Sequence, residues 1–177
     1  MKLISEVPLQ APYTPWTLAD RFTALRSCFA DEIGQRLALL LFSSTTNQFG
    51  TLYSPISLSR TITRALDQNL FRENDFFPAY EILNDELRDY RFYSEDLAHP
   101  NALAIDYIWE KFSSNYFRVN TLSLCQEITS LRAAFKHRPL NPDTSEHQAF
   151  RASINTRRKA LAALGLDTTS LDNQRLT

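Results

Sequence analysis

Three apolar stripes at helical spacing fill the C-terminal part of the chain and constrain its fold more than any other feature. From Pro100 on, Ile105, Ile108, Trp109, Phe112 and Tyr116 form one stripe, and Leu124, Ile128, Leu131 and Phe135 form another. A third helix is expected to open at Ser145, where Gln148 completes a capping box, to carry Phe150, Ile154, Leu161 and Leu164 inward, and to stop at Gly165. Residues three and four apart share a helix face, so each stripe needs a neighbour to bury it. The tail after Leu166 is polar and is expected to fray.

Upstream the pattern alternates. The first 18 residues hold Pro8, Pro12 and Pro15 and are expected to run extended over the surface until Trp16 docks. Arg21–Leu25 reads as a short buried strand, followed at helical spacing by Phe29, Ile33, Leu37, Leu40 and Leu41, so the strand-to-helix transition lies at Arg26-Ser27-Cys28. A second extended piece is expected at Phe42–Thr46, then the loop "NQFGTLYSP" and a helix from Pro55 to about Asp67. Phe76-Phe77 is a further candidate strand, and "EILNDELRDYRFY" lacks clean periodicity, which predicts irregular structure with a helical turn. The result is one α/β domain over 1–177: an extended arm (1–18), an α/β part (19–99), C-terminal helices (100–166) and a tail (167–177).

With 177 residues, 44% of them hydrophobic, the chain can bury one core. A formal charge of -1 and a pI near 6.3 speak against a large electrostatic footprint for nucleic acid or an anionic membrane. The basic cluster Arg157-Arg158-Lys159 is expected on the wet side of a helix. The longest apolar run, Leu37–Phe42, is too short to span a bilayer, and the N-terminus has no signal-like apolar stretch, so the expectation is a soluble, cytoplasmic protein with no membrane contact. Two cysteines, Cys28 and Cys125, are too few for a zinc site, and three glycines leave no room for a Gly-rich phosphate loop. No metal and no organic cofactor is expected.

Asp96 and His99 carry the first hint of chemistry. At i and i+3 across a turn, a carboxylate can fix the tautomer of an imidazole and steady its positive charge, as in the supporting half of a serine relay. The same spacing also closes an ordinary surface turn ended by Pro100, with Asn101 capping the next helix. Ser27, at the entrance to the first helix, likewise reads either as an N-cap or as a hydroxyl placed where unpaired N–H groups stabilise negative charge.

The segment "RSCFADEIGQRL" resembles the signature of the GSCFA family. "NQFGTLYSPIS" is similar to a second loop of that family, and "FFPAYEILNDELRDYRFYSEDLAHPNALAIDYIWEKF" to its C-terminal signature; "HRPLNPDTSEHQAF" is also similar. The resemblance covers most of residues 20–150. It implies an SGNH-type (GDSL-like) hydrolase, with a reduced flavodoxin-like three-layer α/β sandwich, a small parallel sheet and a helical C-terminal part. The implied activity is hydrolysis or acyl transfer of small acyl esters, with Ser27 as nucleophile, His99 as general base and Asp96 as its orienter. The backbone N–H groups of Cys28 and Gly50 would bind the oxyanion, and Asn47 could assist.

Two departures from the family pattern bear on activity. Arg26 stands where the family has glycine before the serine. The family's central segment, with further strands and the block that supplies an oxyanion-binding asparagine, is absent between Asp67 and Phe76. So short a connection predicts a sheet of about three strands. Loss of one oxyanion donor costs about 3–4 kcal/mol of transition-state stabilisation. The alternative reading is therefore a non-catalytic relative whose residues 100–164 engage a protein partner or a second copy through apolar surface.

Overall fold

The computed structural model describes residues 6–12, 14–24, 28–46 and 77–172. Among them the chain is α/β, mostly helical, with one parallel pair of strands. β1 (Arg21–Ala24) leads into α1 (Cys28–Leu39), and β2 (Ser43–Thr46) returns beside β1 in the register Arg21↔Ser43 to Ala24↔Thr46. A parallel pair needs such a crossover, because a tight turn can only reverse the chain. Helix and strand pack so closely that a Cβ built on Gly34 would lie 1.9 Å from Thr46 Cγ2, and the Ser44 hydroxyl donates to the Gly34 carbonyl at 3.0 Å. Only glycine fits that contact.

α1 ends in a Schellman turn: Phe42 N–H donates to the Leu37 carbonyl and Leu41 N–H to that of Ala38. Leu41 occupies the left-handed position of the turn at φ 65°, where glycine is usual; packing of its half-buried side chain on the cluster of Ile128, Leu131 and Leu171 offsets that strain.

The expected strand at Phe76-Phe77 does not appear at its described half. Phe77 makes no ladder pairing, and its ring packs edge-on against Phe112 and Tyr116. Two adjacent aromatics before a proline read as a strand because large apolar side chains favour a half-buried pleat, but core packing satisfies the same preference without one. The chain instead enters α2 (Ala79–Glu81), continues as a π-helical turn, Ile82–Glu86, and passes a 3-10 turn, Tyr90–Phe92. The helix expected at Pro55–Asp67 lies outside the described residues.

Three long helices follow: α3 (Ala102–Tyr116), α4 (Val119–Lys136) and α5 (Ser145–Ala163). Ile105, Ile108, Phe112 and Tyr116 are buried as their spacing requires, as are Ile128, Leu131, Ile154 and Leu161. Trp16 docks the N-terminal arm: its N–H donates to the Tyr116 carbonyl at 2.7 Å, its own carbonyl accepts from Arg118 N–H, and its ring meets Phe22, Phe112 and Tyr116.

At α5 the details shift. Thr144, not Ser145, is the N-cap, its hydroxyl accepting from His147 N–H at 3.2 Å, so the Ser145–Gln148 capping box does not form. The Gly165 stop is as expected, with φ 82° and a Schellman turn that pairs Leu166 N–H with the Leu161 carbonyl. Leu164 is exposed rather than inward, because as C-cap residue it has already left the apolar face.

The expected frayed tail is anchored through residue 172: Leu171 is buried with Ile128, Leu131 and Leu161, and the Arg132 guanidinium donates to the Ser170 carbonyl at 2.9 Å and to that of Leu39 at 2.6 Å. Arg132 thereby ties the end of α1 to the C-terminal segment. A guanidinium at a helix C-terminus also meets the negative end of the helix dipole.

Candidate functional site

Residues 93–100 form a closed loop whose geometry follows from its own short-range bonds. Tyr93 and Pro100 form an antiparallel bridge, Ser94 N–H donates to the His99 carbonyl at 2.8 Å, and Leu97 N–H donates to that of Ser94 at 2.9 Å. Asn101 locks the loop to its surroundings. Its Oδ1 caps α3 by accepting from Ala104 N–H at 3.1 Å, and its amide donates to the carbonyls of Arg91 and Tyr93.

Inside the loop Asp96 Oδ1 accepts the N–H groups of Ala98 and His99, each at 3.0 Å, and Oδ2 lies 2.5 Å from His99 Nδ1. One carboxylate therefore holds both backbone and ring of the histidine. The His99 N–H, followed by the ring and the Ala98 N–H, keeps the Asp96 carboxyl well below the ordinary range. With Nδ1 engaged, Nε2 has no partner among the described residues. The side chains of His99 and Asp96 are 58% and 50% exposed, which leaves that nitrogen open to a ligand or substrate. The loop is thus the surface turn that the spacing allows, ended by Pro100 and followed by the Asn101 cap.

Leu97, two residues before the histidine, sits at φ 56°. A leucine in the left-handed region costs about 1–2 kcal/mol. The residue is 60% exposed, so packing does not repay that strain. Nothing in the sequence marks it, since leucine carries no preference for this conformation. Leu97→Asn, a residue that tolerates positive φ, is expected to stabilise the protein by about 0.5–1 kcal/mol. Thermal unfolding would then rise by roughly 1–4 °C; an unchanged or lower midpoint would show that the strain is absent.

A second polar cluster lies nearby and escaped the sequence reading. Glu86, at the end of the π-helical turn, has a fully buried side chain (0% exposed); its Oε1 accepts from Val7 N–H at 2.6 Å, its Oε2 from Tyr107 Oη at 2.8 Å, and Lys111 Nζ lies 2.9 Å away with a side chain 23% exposed. Burial pushes the Glu86 pKa up, but the lysine and the two neutral donors outweigh it and the net direction is down. The lysine shifts upward for the complementary reason, Glu86 prevailing over burial.

Of the other residues singled out in the sequence, Cys28 begins α1, which places its backbone N–H among the unpaired donors of that helix end. Ser27, Asn47 and Gly50 lie outside the described residues. Phe29, in the first turn of α1, packs against the apolar cluster of Ile82, Leu87, Ala104 and Ile108, as does Phe92, which leads into the histidine loop. The Arg36 guanidinium bonds Asp106 on α3 at 2.5 Å. Cys125 is buried, and burial pushes its thiol up to about 11, so it is not a reactive thiolate. No group of three or more His, Cys, Asp or Glu that could hold a metal occurs among the described residues, nor does any described helix have the length and apolarity to cross a membrane.

No curated protein and no solved structure matches the chain. The family model described as GSCFA family matches in two overlapping segments, residues 21–77 and 68–112, which together take in β1, α1, β2, the π-helical turn, the histidine loop and most of α3. On that match, spanning just over half its length, the chain belongs to the GSCFA family.

Proposed function

We propose that this protein is a serine hydrolase of SGNH type, acting on small acyl esters by hydrolysis or acyl transfer, with a reduced flavodoxin-like architecture. The observation that carries the reading is the Asp96–His99 pair: a carboxylate on Nδ1, on a half-exposed imidazole whose Nε2 has no partner among the described residues. That is the arrangement a general base requires, because the carboxylate selects the tautomer whose Nε2 can accept a proton.

In this mechanism Ser27 supplies the nucleophilic hydroxyl. Its proton passes to His99 Nε2 as Oγ bonds to the acyl carbon, and Asp96 stabilises the imidazolium. The oxyanion is held by the N–H groups of Cys28 and Gly50, with Asn47 as an additional donor. His99 then returns the proton to the leaving alkoxide, and water repeats the sequence on the acyl-enzyme. Two features support a meeting of Ser27 and His99: α1 begins immediately after Ser27, and Phe29 in its first turn packs on the same apolar cluster as Phe92, just before the histidine loop.

Hydrolysis of p-nitrophenyl acetate tests the proposal. The wild-type chain should turn the ester over, and Ser27→Ala, at equal folded concentration, should fall to the background of free imidazole. Equal rates for the two would overturn it and favour the non-catalytic reading, an interaction module built on residues 100–164.

A further inference from the structure

A cavity of about 340 Å³ opens between α5 and the anchored C-terminal segment, lined by Asn155, Arg158, Lys159, Ala162 and Thr168. Every polar side chain on that wall can donate. Lys159 and Asn155 lie on one face of α5, four residues apart, and neither has a side-chain partner among the described residues. The Arg158 guanidinium lies 6.0 Å over the Phe135 ring, and its Nε makes a long contact of 3.5 Å to Thr168 Oγ1, so neither neighbour saturates it. Thr168 is only 8% exposed, and its hydroxyl accepts from Arg158, so the hydroxyl hydrogen is left without an acceptor among the described residues. Arg157, by contrast, is committed to Glu127 at 2.6 Å and does not contribute.

A wall with two cations, an amide and a hydroxyl hydrogen, and no carboxylate among its lining residues, suits a ligand rich in acceptor oxygens and negatively charged. Among the described residues, Asp172, half exposed, is the carboxylate paired with this wall, 3.6 Å from Arg158 Nη1. That distance is too long for a good charge-assisted bond, and the aspartate stands at the rim as a weak competitor for the guanidinium. We propose that this cavity binds a phosphate group, free or as a small monoester, with Arg158 and Lys159 supplying charge and Asn155 and Thr168 orienting the oxygens. The site is independent of the histidine loop and of the hydrolase reading.

The test is titration of the full chain with inorganic phosphate and, separately, glycerol 3-phosphate, followed by amide chemical shifts against sodium chloride at matched ionic strength. Saturable shifts confined to residues around 155–168 are expected, tighter for the ester if a monoester is the natural occupant and equal if free phosphate is. Lys159→Gln should weaken binding about tenfold, as for loss of one charge-assisted bond. Asp172→Asn should tighten it severalfold, a gain that a merely structural rim residue would not give. Shifts that chloride reproduces, or that both variants leave unchanged, would overturn the proposal.

Discussion

Replacing His99 with alanine is expected to lower the ester-hydrolysis rate by about 10²–10⁴-fold, the usual worth of a positioned general base. The loss should fall on kcat with KM little changed, because the imidazole acts on the proton in flight and not on the bound ester. Asp96→Asn should also cost activity: with its oxygen kept on the backbone N–H groups, the amide NH2 faces Nδ1 and donates to it, which selects the tautomer whose Nε2 already carries a hydrogen and cannot take the serine proton, and the imidazolium loses its counter-charge. The backbone bonds from Ala98 and His99 to Asp96 Oδ1 can persist with an amide oxygen, so the loop itself should hold its shape. Near-equal circular dichroism and melting midpoints for both variants would separate lost chemistry from lost structure.

The second large effect is on stability. Lys111→Met leaves the Glu86 carboxylate buried with only the Val7 and Tyr107 donors, and breaking a buried pair in this way typically costs about 3–5 kcal/mol. For a chain of this size that corresponds to a fall in melting midpoint of roughly 10 °C. Glu86→Leu should cost less, since the lysine has a route to water and can turn outward. The double variant should recover part of the loss. The pH sign follows from the same contacts. The Glu86 pKa is lower in the folded chain than in the unfolded one, so its contribution is present above the ordinary carboxylate range and is lost as pH falls through the folded value. Wild-type stability should therefore drop in acid more steeply than that of the double variant; parallel acid curves would contradict the assignment.

The helices α1, α3, α4 and α5 were legible because each carries apolar residues at helical spacing, and two have a clear end signal: Asn101 as cap of α3, Gly165 as stop of α5. The Asp96–His99 contact was legible for a different reason, since both partners lie in one turn and nothing distant is needed to bring them together. What failed depended on contacts far along the chain. Glu86 sits in a stretch without readable period, because a π-helical turn breaks the 3.6-residue repeat, and its partners Val7 and Lys111 are 79 and 25 residues away. Leu171 lies in a polar tail whose burial depends on Arg132 reaching it from α4. Phe77 was given to a strand although its ring belongs to the core of α3. Thr144 and Ser145 are equally good caps by type, and only backbone geometry chooses between them.

The meeting of Ser27 with the imidazole of His99 is the central claim, and an activity-based fluorophosphonate probe reads it directly. Peptide mass spectrometry of probe-treated protein should find the phosphonyl adduct on Ser27, and His99→Ala should abolish it while leaving the fold intact. An unmodified Ser27 in well-folded wild-type protein, or an adduct that forms equally well without the imidazole, would contradict the account.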